Sequence, residues 1–141
     1  MKRYLSLAVC ALLILGVIFQ SGCAFLGGNV SNVSVSKVSS DVYTEEEIDQ
    51  AIDVAKDYFV ANFQGCTLKE IRFEGDDTKE WKHWAKQADA DEAIVLYSDF
   101  VTGSDAVMGQ SGLESNEEYL GWNWILVRDD GGQWTHYDHG Y

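Results

Sequence analysis

Three side chains close to the C-terminus, His136, Asp138 and His139, form the densest group of metal-ligating or proton-carrying types in this 141-residue chain. An ion needs three or four such donors converging on one point. Successive side chains of an extended strand alternate between its faces, so His136 and Asp138 share one side while His139 points to the other. Convergence needs a bulge or a distant partner such as His83. No metal site is expected from this spacing. Asp129-Asp130-Gly131-Gly132 lacks the twelve-position ligand spacing of an EF-hand and reads as a hairpin turn. Cys66 follows Gly65 with no neighbouring base or cation to stabilise a thiolate, which marks it as a small buried apolar residue rather than a nucleophile. Acid–base chemistry has only residue types on offer, Asp99, Asp138, Tyr97 and Tyr137, without diagnostic spacing. Phosphate-cradling glycine motifs, a G-x-S-x-G elbow and H-E-x-x-H are missing. The chain is therefore read as non-enzymatic, with no catalytic residue and no cofactor assigned.

The five tryptophans are more informative. On a strand Trp122 and Trp124 share a face with Leu120 and Leu126, and Trp134 sits near the start of the next strand. Trp81 and Trp84 share a helical face. Buried rings of this size supply much of a small core, each contributing roughly 1.5–3 kcal/mol. Some of them are also suited to line a groove for a peptide, a glycan or a small apolar ligand, with Asn123, Tyr97 and Asp99 as polar contacts of opposite parity. Trp122, Asn123, Trp124, Tyr97 and Asp99 are thus the candidate ligand-binding set.

A formal charge of −13 argues against nucleic acid as a partner. A phosphate-binding surface needs clustered cations, and the loose group Lys79, Lys82 and Lys86 lies among Asp76, Asp77 and Glu80. Such acidity favours solubility and repels anionic surfaces.

The N-terminus speaks of location. Met1-Lys2-Arg3 is positive, and Leu5 to Phe19 is an apolar run broken only by Ser6 and Gly16. That run is short for a membrane span, and Ser21-Gly22 places small residues before Cys23. The segment resembles the lipobox of bacterial lipoproteins, in which a signal peptidase cuts before a cysteine whose thiol carries diacylglycerol; Gln20 stands at −3, where that family prefers Leu. The resemblance implies a signal peptide over residues 1–22 and a mature chain beginning at lipidated Cys23. Its partner is then the membrane, on the extracytoplasmic face of the bacterial cell. Cys10 leaves with the signal, so Cys66 has no intramolecular partner and no disulfide is expected. Residues 24–42, rich in Ser, Gly, Asn and Val, read as a flexible tether.

One domain is expected over residues 43–141. Thr44 and Glu47 form a capping-box pattern, and Ile48, Ala51, Ile52, Ala55, Phe59 and Phe63 recur at helical spacing. The helix runs from Thr44 to Asn62, with Gly65 ending it. A strand over Thr67–Glu74, a short helix over Thr78–Ala88 and strands over Glu92–Thr102, Tyr119–Arg128 and Gln133–Tyr141 follow, giving the order α-β-α-β-β-β. Residues 103–116 form a long glycine-containing loop. The expected class is α+β, a long helix packed on a curved antiparallel sheet of about four strands, with Ile52, Phe59, Leu96, Phe100 and Leu126 in the core.

The element order resembles that of cystatin-like and NTF2-like α+β domains. Together with the lipobox, the Phe63-Gln64-Gly65-Cys66-Thr67-Leu68 corner, the Trp122-to-Arg128 strand and the terminal Trp134-to-Tyr141 strand, it resembles small uncharacterised lipoproteins of anaerobic Gram-positive bacteria. The resemblance brings no assigned catalytic residues; the tether, the single compact domain, the aromatic groove candidates and the lack of a catalytic constellation lead to a surface-anchored, non-catalytic binding module for a peptide, glycan or envelope protein. A small NTF2-like enzyme with an Asp/Tyr pair inside its cone is the alternative.

Overall fold

A computed structural model describes residues 27–104 and 112–141. Cys23 and the segment before it lie outside these residues, as does the middle of the 103–116 loop. The architecture is α+β: β1 (Ser34–Lys37), α1 (Glu45–Asn62), β2 (Cys66–Phe73), α2 (Thr78–Ala88), β3 (Glu92–Thr102), β4 (Glu118–Arg128) and β5 (Thr135–Gly140). The strands form one mixed sheet in sequential order, β1 parallel to β2 and the remaining pairs antiparallel.

The sheet has five strands, not four, and the fifth comes from the stretch expected to be a flexible tether. Gly28 N–H donates to the Val60 carbonyl at 3.0 Å, and Asn29 exchanges two backbone bonds of 2.9 Å with Cys66 and Leu68. Ser34–Lys37 then pairs with Glu70–Phe73. Composition hid this strand because β1 has no apolar face of its own. Its residues are mostly exposed and its stability is borrowed from the β2 backbone.

Local signals fix both helices. Thr44 Oγ1 accepts the Glu47 N–H while Glu47 Oε2 accepts the Thr44 N–H at 2.8 Å, completing the capping box. Asp77 caps α2 by accepting the Glu80 N–H at 3.0 Å, and Asp89 ends it in the left-handed region. The core faces α1: Ile52, Phe59, Leu96, Phe100 and Leu126 are all buried there, with Phe59 edge-on to Phe100 and Trp124. Strand β3 also buries residues of the other parity, Ala93 and Val95, because α2 covers part of the opposite face.

Two bulges decide which side chains reach which face. Ser98 pairs with Trp122 and Phe100 with Tyr119, so β4 carries one extra residue at Leu120-Gly121, where Gly121 takes φ +69°. Tyr119 is thereby turned inward to stack on Phe100 at 4.9 Å, and Leu120, expected beside the tryptophans, is turned out to 57% exposure. On β5, Ile125 pairs with Asp138 and Leu126 with His136, leaving Tyr137 as the extra residue.

Candidate functional site

The β5 bulge supplies the convergence that a regular strand denies. His136 pairs with Leu126 and His139 with Trp124, both of which face α1, so the two imidazoles lie on the same side. Their Nε2 and Nδ1 atoms are 2.9 Å apart, one donating and the other accepting. The expectation that they point to opposite faces is corrected by this one added residue. Asp138 stays exposed and accepts the His139 N–H at 2.8 Å. Tyr58 of α1 stacks on His136 at 3.6 Å, and His139 is flanked by Phe63, Trp122 and Trp124. Burial lowers the His136 pKa to about 4, assisted by His139 and opposed by Asp138. Burial also lowers that of His139 against the pull of Asp138. Both rings are neutral at pH 7, so each carries one donor and one acceptor nitrogen and the contact is a neutral imidazole–imidazole hydrogen bond.

Trp122 forms the edge of this cluster. Its ring is half-buried between Phe63, Phe100, Tyr119 and His139 and meets the exposed Tyr141 edge-on at 5.2 Å. Among the described residues its Nε1 is the one buried side-chain polar atom without a hydrogen-bond partner. An indole N–H left so costs on the order of 1–3 kcal/mol. Trp124, two residues on, differs: it is 0% exposed and donates to Ser98 Oγ at 2.8 Å in the core.

The sheet separates the expected binding residues. Tyr97 and Asn123 are cross-strand partners on the face away from α1, beside Asp99. One Asp99 oxygen pairs with the Arg72 guanidinium at 2.9 Å and the other accepts the Gly121 N–H at 2.8 Å, so this carboxylate anchors the β4 bulge. Burial raises the Tyr97 pKa, aided by Glu80, Glu74 and Asp77. Trp122 therefore belongs to one site, Tyr97, Asp99 and Asn123 to another surface, and Trp124 to neither. The signal missed in sequence was His136-x-x-His139 on a strand with room for a bulge, and its stacking partner Tyr58 on the half-buried flank of α1.

Two buried groups serve the fold. Arg128 holds Glu47 and Glu92 at 2.6 Å each and lies 4.2 Å over the Trp134 ring, tying α1 to β3 and β4. Cys66 is buried, and that burial pushes its thiol up to about 11, the condition of an inert rather than a nucleophilic cysteine. Among the described residues no group of three or more His, Cys, Asp or Glu is placed to hold a metal ion, and no helix is long and apolar enough to cross a membrane. Comparison with protein-family models, with curated proteins and with solved structures returned no match.

Proposed function

We propose that the protein is a lipid-anchored, extracytoplasmic lipoprotein whose single α+β domain, of cystatin-like or NTF2-like kind, is a non-catalytic binding module. The observation that carries the binding reading is the rim formed by Trp122 and Tyr141: a half-buried indole with an unpaired N–H, an exposed phenol beside it, and a floor of neutral histidines and aromatic rings. An aromatic platform suits a partner that offers a flat or apolar face, as glycans and peptides do, and the buried, unpaired Trp122 N–H gains an acceptor when the ring turns to meet that partner. The anchor rests on the Ser21-Gly22-Cys23 junction and the segment before it.

A library of glycans, peptides and envelope fragments, followed by tryptophan emission, tests this reading. A hit is expected to weaken about tenfold or more in Trp122→Phe, which keeps the ring and removes the donor, through loss of a hydrogen bond with no substitute. Asn123→Ala, on the opposite face, should leave it unchanged. Turnover of a small substrate that disappears in Asp99→Asn with the fold intact would replace the binding reading by the enzymatic one. Cys23→Ser should release the protein from the membrane fraction or stall it as a precursor; unaltered mass and partition would remove the anchor.

A further inference from the structure

The chain between the acylation site and the folded domain is far shorter than composition suggests. Gly28 is already held: its N–H is bonded to Val60, and its α-carbon lies so close to α1 that an added Cβ would stand 2.5 Å from the Phe59 carbonyl oxygen. Asn29 is then locked between Cys66 and Leu68. From Cys23 to Gly28 is five residues, which reach at most about 17 Å fully extended. The eighteen residues of α1 make the domain about 27 Å long from pole to pole. A leash shorter than the body it holds keeps its own pole within about 17 Å of the surface and forbids the inverted, upright orientation.

The geometry points to a fixed polarity on the bilayer, resting on the lipid-anchor reading. The pole where α1 ends and β2 begins faces the lipid, and the pole where α1 starts faces away. The membrane-facing pole is the corner of Gly28, Gln64, Gly65 and Gly103, in which the Gly103 N–H donates to the Gly65 carbonyl at 2.8 Å and Thr102 Oγ1 to the Glu114 carbonyl at 2.6 Å. The partner is a lipid headgroup surface, and charge distribution agrees with that choice. Asp41, Asp76, Asp77, Asp91, Asp129 and Asp130 gather at the opposite pole, where Asp76 accepts the Asp41 N–H and Asp129 the Asp91 N–H, against Glu114, Glu117 and Glu118 at the Thr102–Gly103 corner. An anionic bilayer repels that end most strongly, so electrostatics and leash length select the same orientation. The Trp122–Tyr141 rim, on the strand end nearer Gly103, then opens sideways in the membrane-proximal half, where a partner lying along the envelope surface meets it.

The test uses the full membrane-extracted protein in phosphatidylglycerol–phosphatidylcholine vesicles containing an acceptor-labelled lipid. A donor dye is placed through a bioorthogonal residue at exposed Gln64 or exposed Glu46. Energy transfer is expected to be about twofold or more higher from Gln64 than from Glu46, because the two positions differ by roughly the length of α1 in height. Inserting a twenty-residue Gly-Ser segment after Cys23 leaves the fold untouched and should shrink the difference to what charge repulsion alone sustains; Gly28→Val, which undocks the segment, should also reduce it. The mass of the extracted protein is read first. Absence of diacylglycerol on Cys23 overturns the anchor and the orientation together, whereas a lipidated protein with equal transfer from both positions overturns the orientation alone.

Discussion

At neutral pH the His136–His139 bond joins two uncharged imidazoles inside a ring of aromatic side chains. In the unfolded chain the same histidines take up a proton near pH 6.5. His136 takes it up only near pH 4 in the folded state, with burial as the main cause. Between those values the unfolded chain binds more protons than the folded one, so stability rises with pH through the window and is lost as pH falls from about 6.5 toward 4. The groups facing the pair do not offset this, since Tyr58, Phe63, Trp122 and Trp124 are uncharged and Asp138 alone pulls the other way. Denaturant midpoints measured from pH 7 to 5 should therefore decline. His136→Phe, which keeps the stack on Tyr58 and removes the titrating nitrogen, should flatten that slope; an unchanged slope would place the acid sensitivity elsewhere. At this scale the sequence was only half legible. It displayed the two histidines and Trp122, but a single extra residue on β5 decided that the histidines meet, and another on β4 sent Tyr119 in and Leu120 out. Bulges answer to turn geometry and neighbouring strands rather than to side-chain pattern, and alternation counted from residue types misses them.

The helix-on-sheet packing was readable because its signals are redundant. The capping box of Thr44 and Glu47, the acidic first turn and the run Ile48, Ala51, Ile52, Ala55 and Phe59 all specify one helix with one buried stripe. Phe59 stands at its centre, fully buried and in ring contact with Phe63, Phe100 and Trp124. Phe59→Ala should cost roughly 3–5 kcal/mol in chemical denaturation, the range for an aromatic truncated in a packed core. A change below about half a kcal/mol would mean that this stripe does not face the sheet. Strand β1 lacked any comparable signal. Its Ser-Val-Ser-Lys composition is what an unstructured linker also uses, and its place is fixed from outside by β2, by the close approach of Gly28 to α1 and by Lys37 reaching Glu45 and Asp49. Local composition describes a segment's own preferences, and here the tertiary partner overrides them.

Across the whole molecule the formal charge of −13 works against compaction, because like charges on a small surface repel one another over distances comparable to its radius. At low ionic strength that repulsion is felt across the acidic pole, whereas at about 0.15 M salt the screening length falls to about 8 Å and distant acids no longer sense each other. The attractive pairs respond unequally. Arg128 grips Glu47 and Glu92 from a position only 6% exposed, at contacts of 2.6 Å, too short and too enclosed for mobile ions to intervene. Pairs such as Arg72–Glu74 and Lys56–Asp53 engage exposed carboxylates and contribute little to begin with. Salt therefore weakens more repulsion than attraction. Raising sodium chloride from about 10 mM to about 150 mM should lift the thermal midpoint by about 2–5 °C, as expected when somewhat under 1 kcal/mol is gained by a domain of this size. Arg128→Met should lower the midpoint at both salt concentrations while preserving that upward step, since it removes a contact that salt does not reach. A midpoint that instead falls with added salt would show the exposed ion pairs to outweigh the self-repulsion of the acidic pole.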